Sequence, residues 1–182
     1  MKFIRGFFSR LPAYVLWLMM SVVLWGWVFT RITDAPAERK VTLFIEAPTV
    51  SETALAAELE LELPEGIRMI QVHTFDYVMF DASSLLAADL YVVRESSAAE
   101  YIDSFLPLAH PAEGCWSLDG VPYGIRVYDA AAGTGAASDW ISYCPDDTPK
   151  ENYYLFFGAK SLHTGQTDLA AYAVADHFLS LP

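Results

Sequence analysis

Apolar and polar positions divide the chain into two regimes. Residues 11–30 (LPAYVLWLMMSVVLWGWVFT) form an unbroken run of 20 residues without a formal charge. At 1.5 Å per residue, such a helix spans roughly 30 Å, the hydrocarbon thickness of a bilayer. The run is apolar on every side, whereas a helix packed on a core needs only one apolar stripe. Beyond residue 40 the apolar positions come in short bursts between polar turns, as in a globular domain.

Those bursts predict a succession of strands and helices. Residues 41–46 (VTLFIE) read as a buried strand. Thr49-Val50-Ser51-Glu52 fits a capping box, and a helix over 54–63 follows, with Leu55, Leu59 and Leu63 four apart. Residues 58–63 also alternate with period two, and Pro64-Glu65-Gly66 would suit a hairpin turn, so a strand competes there. Residues 67–75 and 89–93 read as strands, with Asp81 placed to cap a short helix over 84–88. Ser97-Ala98-Ala99-Glu100 is a second capping box, leading a helix whose Ala98, Tyr101, Ile102 and Phe105 share one face until Pro107 closes it. Residues 121–128, 139–144 and 153–158 read as strands, with a small-residue loop over 130–138. Thr167 is placed to cap a final helix with an apolar stripe of Ala170, Val174, Phe178 and Leu181. Alternation of this kind predicts a layered α/β domain with a mixed sheet that begins parallel.

A length of 182 residues suits that single domain plus an anchor. The expected organisation is a cytoplasmic basic segment over 1–10, a transmembrane helix over 11–30, a linker over 31–40 and an extracytoplasmic domain over 41–182. Charge sets the orientation. Lys2, Arg5 and Arg10 precede the apolar run, and only Arg31 abuts its far side. The positive-inside rule then leaves the N-terminus in the cytoplasm and the domain across the cell membrane. Tyr14, Trp17, Trp25 and Trp27 lie toward the two ends of the run, as interfacial aromatics do, and Pro12 sits where a helix start tolerates it. Ala35-Pro36-Ala37 mimics a signal-peptide cleavage site, but the run exceeds a usual h-region and Arg31 and Asp34 intervene, so an uncleaved anchor is favoured.

All 23 acidic residues lie at Asp34 or beyond, against seven bases there, a formal charge of −16. A surface of that sign repels nucleic acid, which is excluded as a partner. Its first role is solubility. Cys115 and Cys144 can pair if the domain lies in an oxidising compartment; two separated cysteines are a poor zinc signal.

Three segments carry a family resemblance: residues 40–44 (KVTLF), residues 87–93 (AADLYVV) and residues 118–127 (LDGVPYGIRV). Together they resemble one lobe of the extracellular, periplasmic-type solute-binding proteins that serve ABC transporters. The resemblance covers about residues 40–182. It implies recognition of a small polar solute or a protein partner, without catalysis. It departs from the family in length, since full members close two lobes around a ligand, and Arg126 stands where the family often has a proline.

The search for chemistry points the same way. His73, Asp76 and Asp81 cluster after a strand end, where ligands bind in α/β sheets, but no further metal ligand stands at a recognisable spacing. His110, His163 and His177 are scattered, and no nucleophile elbow is present. Gly133-Thr134-Gly135 is too short for a phosphate loop. Neither a cofactor nor a metal is expected. Trp116, Tyr123 and Trp140 fall near loops or strand edges and are the candidate ligand-binding residues, since Trp and Tyr stack on sugars and anchor protein partners. The expectation is a membrane-anchored binding module. Its alternative is an accessory subunit that docks onto a larger membrane complex.

Overall fold

The computed structural model describes residues 2–33, 35–74, 88–110, 114–144, 149–165 and 168–182. The chain separates into two compact units, Met1–Pro36 and Ala37–Pro182. The first is one helix, α1 (Lys2–Thr33). Within it Leu11–Thr30 has a mean hydropathy of 1.7 and none of it is buried, so the helix is long and apolar enough to cross a membrane. The helix reaches back to Lys2, which leaves Pro12 inside it and not at its start. Lys2, Arg5 and Arg10 are good helix formers, and they carry the helical pattern past the apolar run.

The second unit is an α/β domain built on a mixed sheet. Its strands are β1 (Lys40–Ile45), β3 (Met69–Thr74), β4 (Leu90–Arg94), β6 (Trp116–Leu118), β7 (Val121–Asp129) and β10 (Tyr153–Gly158), in the spatial order β3-β1-β4-β10-β7-β6. Two short strands, β5 (Phe105–Leu106) and β8 (Thr134–Gly135), pair with β10 and β7 respectively. The first three strands in that order are parallel and the remaining pairings are antiparallel. The alternating first half of the domain thus forms the expected parallel start.

Strand periodicity divides the interior between two sheet faces. Val41, Leu43 and Ile45 of β1, Leu90 and Val92 of β4, and Leu155 and Phe157 of β10 enter the larger core. The helices α2 (Glu52–Leu59) and α4 (Ala170–Ser180) contribute Leu55, Leu59, Val174 and Phe178 to the same core. The intervening residues Phe44, Tyr91, Val93, Tyr154 and Phe156 form the second core with Ala98, Tyr101 and Phe105. A strand apolar on both faces reads as a continuous run, which is why YYLFFG is buried at every position.

The helical reading of residues 54–63 holds in part. Leu55 and Leu59 are buried at the four-residue spacing of a helix, whereas Leu61 is 73% exposed, so the period-two alternation is not used. The α-helix ends at Leu59, and a 3-10 turn covers Glu60–Glu62. Both capping boxes fail. Thr49–Val50 is instead a short strand, β2, paired with β9 (Ile141–Ser142) in a separate two-stranded sheet. The hydroxyl of Ser97 donates to Glu46, and the helix predicted there is one turn, α3 (Glu95–Ala98), followed by a 3-10 segment Ala99–Ser104. Phe105 leaves the helix because it pairs with Gly158 as a strand. The strand expected over 139–144 shrinks to two residues. Tyr143 instead turns its hydroxyl onto the carbonyl of Ala136, at 2.7 Å. Ahead of α4, Asp168 accepts from the Ala170 amide at 3.1 Å. The expected caps Asp81 and Thr167, and the helix expected over 84–88, lie outside the described residues, save Ala88, which is buried and precedes β4 outside any helix.

Candidate functional site

Strand β1 lies between β3 and β4, and all three run parallel. The chain leaves β1 for one neighbour and reaches the other later, so the carboxyl ends of β1 and β4 form a topological switch point. Crevices at such points are where open α/β sheets bind ligands. Here polar side chains bond one another. Glu46, 7% exposed, follows β1. Its Oε1 accepts from Arg94 Nη2 at 2.5 Å, Arg94 Nε at 3.0 Å and Ser97 Oγ at 3.0 Å, and its Oε2 accepts from the Arg94 amide at 3.2 Å. Glu151 lies 3.8 Å from the other guanidinium nitrogen, and Asn152 bridges Glu95 and the Ala130 amide. The hydrogen bond to Glu46 raises the Arg94 pKa above its ordinary value against the cost of burial. This is a saturated clamp between strand ends, with its polar atoms already engaged.

The predicted aromatic residues do not all meet. Trp116 and Tyr123 do: they stand on the two strands of the β6–β7 hairpin, with ring centroids 6.3 Å apart and edge to face. The hairpin turns on Asp119 and Gly120, with φ of 50° and 80°. Leu118 pairs with Val121, so the loop has two residues, and the paired positive φ values suit an Asp-Gly type I′ turn. Trp116 also lies edge-on to Phe156 at 5.6 Å, and Phe156 stacks on Phe105 at 4.2 Å. Gly124 makes this possible, because a Cβ there would fall 2.6 Å from Phe156 Cε1. Both Trp116 and Tyr123 are partly buried against the second core, and Val121 beside them is 40% exposed. Trp140 lies elsewhere, packed against the larger core, with its carbonyl accepting from the Ser51 amide at 2.9 Å.

Cys115 and Cys144 are free thiols. Cys115 lies 3.6 Å from the Ser117 hydroxyl, and Cys144 donates weakly to the Glu151 carbonyl at 3.7 Å, so the expected pairing is not formed. Cys115 stands at the entry to the hairpin, while Cys144 packs against the larger core beside Tyr128 and Tyr153. His73 is exposed, tilted on Phe44 at 5.3 Å; Asp76 and Asp81 lie outside the described residues. Among the described residues no three His, Cys, Asp or Glu side chains form a group able to hold a metal.

His163 is buried, at 1% exposed. Its Nδ1 lies 2.8 Å from Asp168 Oδ2, and Nε2 lies 3.1 Å from the carbonyl oxygens of both Ala37 and Lys40. The neighbouring Ser161 hydroxyl donates to Asp89, at 2.5 Å, and not to the imidazole, so His163 does not activate Ser161. Burial pushes the Tyr91 phenol up to about 12 and raises Tyr143 and Tyr153 as well, which keeps these hydroxyls protonated.

Among the described residues, two of the open grooves are the following. One, of about 470 Å³, is lined in part by Glu38, Glu65, Asp168 and Leu169. The other, of about 370 Å³, runs between α2 and β3 past Ala56, Ile70 and His73. Neither is lined by Trp116, Tyr123 or Trp140. The two-residue Asp-Gly turn is the sequence signal for β6, which a reading by apolar runs passes over because the strand is only three residues long. Compared with protein-family models and with curated proteins, the chain matches none.

Proposed function

We propose that the chain is a single-pass membrane protein whose α/β domain stands on the extracytoplasmic side and recognises a protein partner without catalysing a reaction. The observation that carries this reading is the Trp116–Tyr123 pair, half-buried on a tight hairpin at the sheet edge. Rigid, partly desolvated Trp and Tyr are the residue types that dominate binding energy at protein interfaces. Two further features support it. At the switch point, where a small ligand would be sought, Glu46, Arg94 and Ser97 bond one another. The basic residues ahead of Leu11–Thr30 outnumber those just after it, which favours a cytoplasmic N-terminus. The resemblance to one lobe of solute-binding proteins agrees with recognition as the class of function.

The same aromatic faces suit a sugar or another small polar solute, and a thermal-shift screen separates the two readings. The full chain in detergent is titrated with sugars, amino acids, short peptides and divalent metals. A ligand at a hundred times its Kd would stabilise the fold by about 2.7 kcal/mol. The expected result is no shift with any single solute. A reproducible shift with one class, abolished in Trp116→Ala, would replace the protein partner by that solute.

A further inference from the structure

His163 is the buried titratable group that recognition through the hairpin does not use. Its ring is sandwiched between acceptors on both sides: the Asp168 carboxylate at Nδ1, and the carbonyls of Ala37 and Lys40 at Nε2. A neutral imidazole has one N–H and one lone pair. In either tautomer that lone pair would face an oxygen at hydrogen-bonding distance, in a site 1% exposed. Only the imidazolium satisfies all three contacts, since both of its nitrogens donate.

The contacts join distant parts of the chain. Ala37 and Lys40 flank the entry to β1, immediately after the segment that connects to α1. Asp168 precedes α4, whose Ala171 amide donates to the His163 carbonyl at 3.2 Å. The His163 main chain is held by the Ser161 hydroxyl, which accepts from the His163 amide at 2.9 Å. We propose that His163 is a pH-sensitive clasp: as an imidazolium it fastens residues 37–40, where the tether enters the domain, and loss of its proton releases them.

The charges around the ring agree with that sign. Burial opposes the charged form, but the Asp168 hydrogen bond, the Ala37 carbonyl and the negative charges of Asp89 and Asp168 outweigh it, so the pKa lies above the ordinary histidine value. Asp89, on the β4 side, is itself raised by burial, although Ser161 and the Thr42 amide hydrogen-bond it. Asp168 is lowered by the Ala170 amide and by His163. From the tether side Glu38 shares a groove with Asp168, and Arg39 and Lys40 are the cations of that segment. α4 packs against the site with Ala170 and Ala171, which carry no charge. A histidine whose folded pKa is raised contributes its full stability below the unfolded pKa and loses it as pH rises through the folded one.

Arg39 and Lys40 are themselves trypsin sites in the clasped segment. The test is tryptic cleavage there in the full chain in phosphatidylcholine nanodiscs, between about pH 6 and pH 9 and normalised to a free peptide of the same sequence. Cleavage is expected to rise several-fold across that range as the ring loses its proton. Asp168→Asn is the control. Its Oδ1 still accepts from Ala170, while its amide can donate to Nδ1 of a neutral ring whose Nε2–H serves the two carbonyls. In that variant cleavage stays slow and flat with pH. Nitrogen-15 spectra of the wild type near pH 6 should show both His163 ring nitrogens protonated. A bare ring nitrogen at that pH, a flat wild-type cleavage profile, or an Asp168→Asn profile that tracks the wild type would overturn the proposal.

Discussion

Glu46 collects hydrogen bonds from the Arg94 side chain, the Arg94 amide and the Ser97 hydroxyl while itself nearly inaccessible. Removing it strands those donors, whereas removing the arginine head leaves the carboxylate with Ser97 and a backbone amide. Arg94 is also 43% exposed, which screens its part of the pair. Glu46→Ala should therefore cost about 2–4 kcal/mol, and Arg94→Met about 1–2 kcal/mol. Urea denaturation of both variants checks this; equal costs would mean the network is not centred on the glutamate. Two glycines offer a second contrast. A Cβ on Gly124 meets the ring of Phe156, which can tilt, whereas a Cβ on Gly158 meets the backbone carbonyl of Ala88. Gly158→Ala should destabilise more than Gly124→Ala, which overpacking places at about 1–3 kcal/mol. Neither the Glu46 clamp nor the role of Ser97 is legible in the sequence. Ser97 looks like a cap by its spacing to Glu100, and only the pairing of β1 with β4 brings Glu46 within its reach.

At the scale of elements, β3 is an edge strand with outward-facing amides, a hazard that folds commonly blunt with charge. Two carboxylates serve here: Glu60 accepts from the Ile70 amide at 3.0 Å and Glu52 from the Thr74 amide at 2.6 Å. Glu60 comes from the stretch for which helix and strand compete in the sequence, and Glu52 from the segment just before it. The helical outcome places Glu52 and Glu60, eight residues apart, beside edge amides that are four residues apart. Replacing both by Ala should raise hydrogen exchange at Ile70 and Thr74 and cost about 1–3 kcal/mol in total. Unchanged protection would show that α2 shields the edge without its carboxylates. The Thr74 hydrogen bond lowers the Glu52 pKa, against a smaller opposing effect of burial. A lowered carboxylate contributes stability above its unfolded pKa and loses it as pH falls through its folded one. Protection of Thr74 should therefore weaken in the wild type as the pH falls below the ordinary glutamate range, and be weak at every pH in Glu52→Ala.

For the whole molecule, the long-period signals carry furthest. The apolar run over Leu11–Thr30, the parallel start of the sheet, the buried β10 and the stripe of α4 are all legible, because each rests on a repeated pattern of burial. The two- and three-residue strands are not, since so short a segment has no period to read and is defined by its partner. The candidate site divides in the same way. Trp116 and Tyr123 are recognisable as residue types, and the Asp-Gly turn joins them, but Trp140 departs to the larger core because its segment pairs with β2 and not with the main sheet.

We propose that the hairpin end of the sheet meets a protein partner outside the cell membrane. Photocrosslinking in intact cells tests it most directly, with the reactive side chain placed at Val121, which is 40% exposed beside Trp116 and Tyr123, and as a control at the exposed Ala54 on α2. One discrete heavier adduct is expected from Val121 and none from Ala54. No adduct from Val121, or the same adducts from both positions, would contradict it.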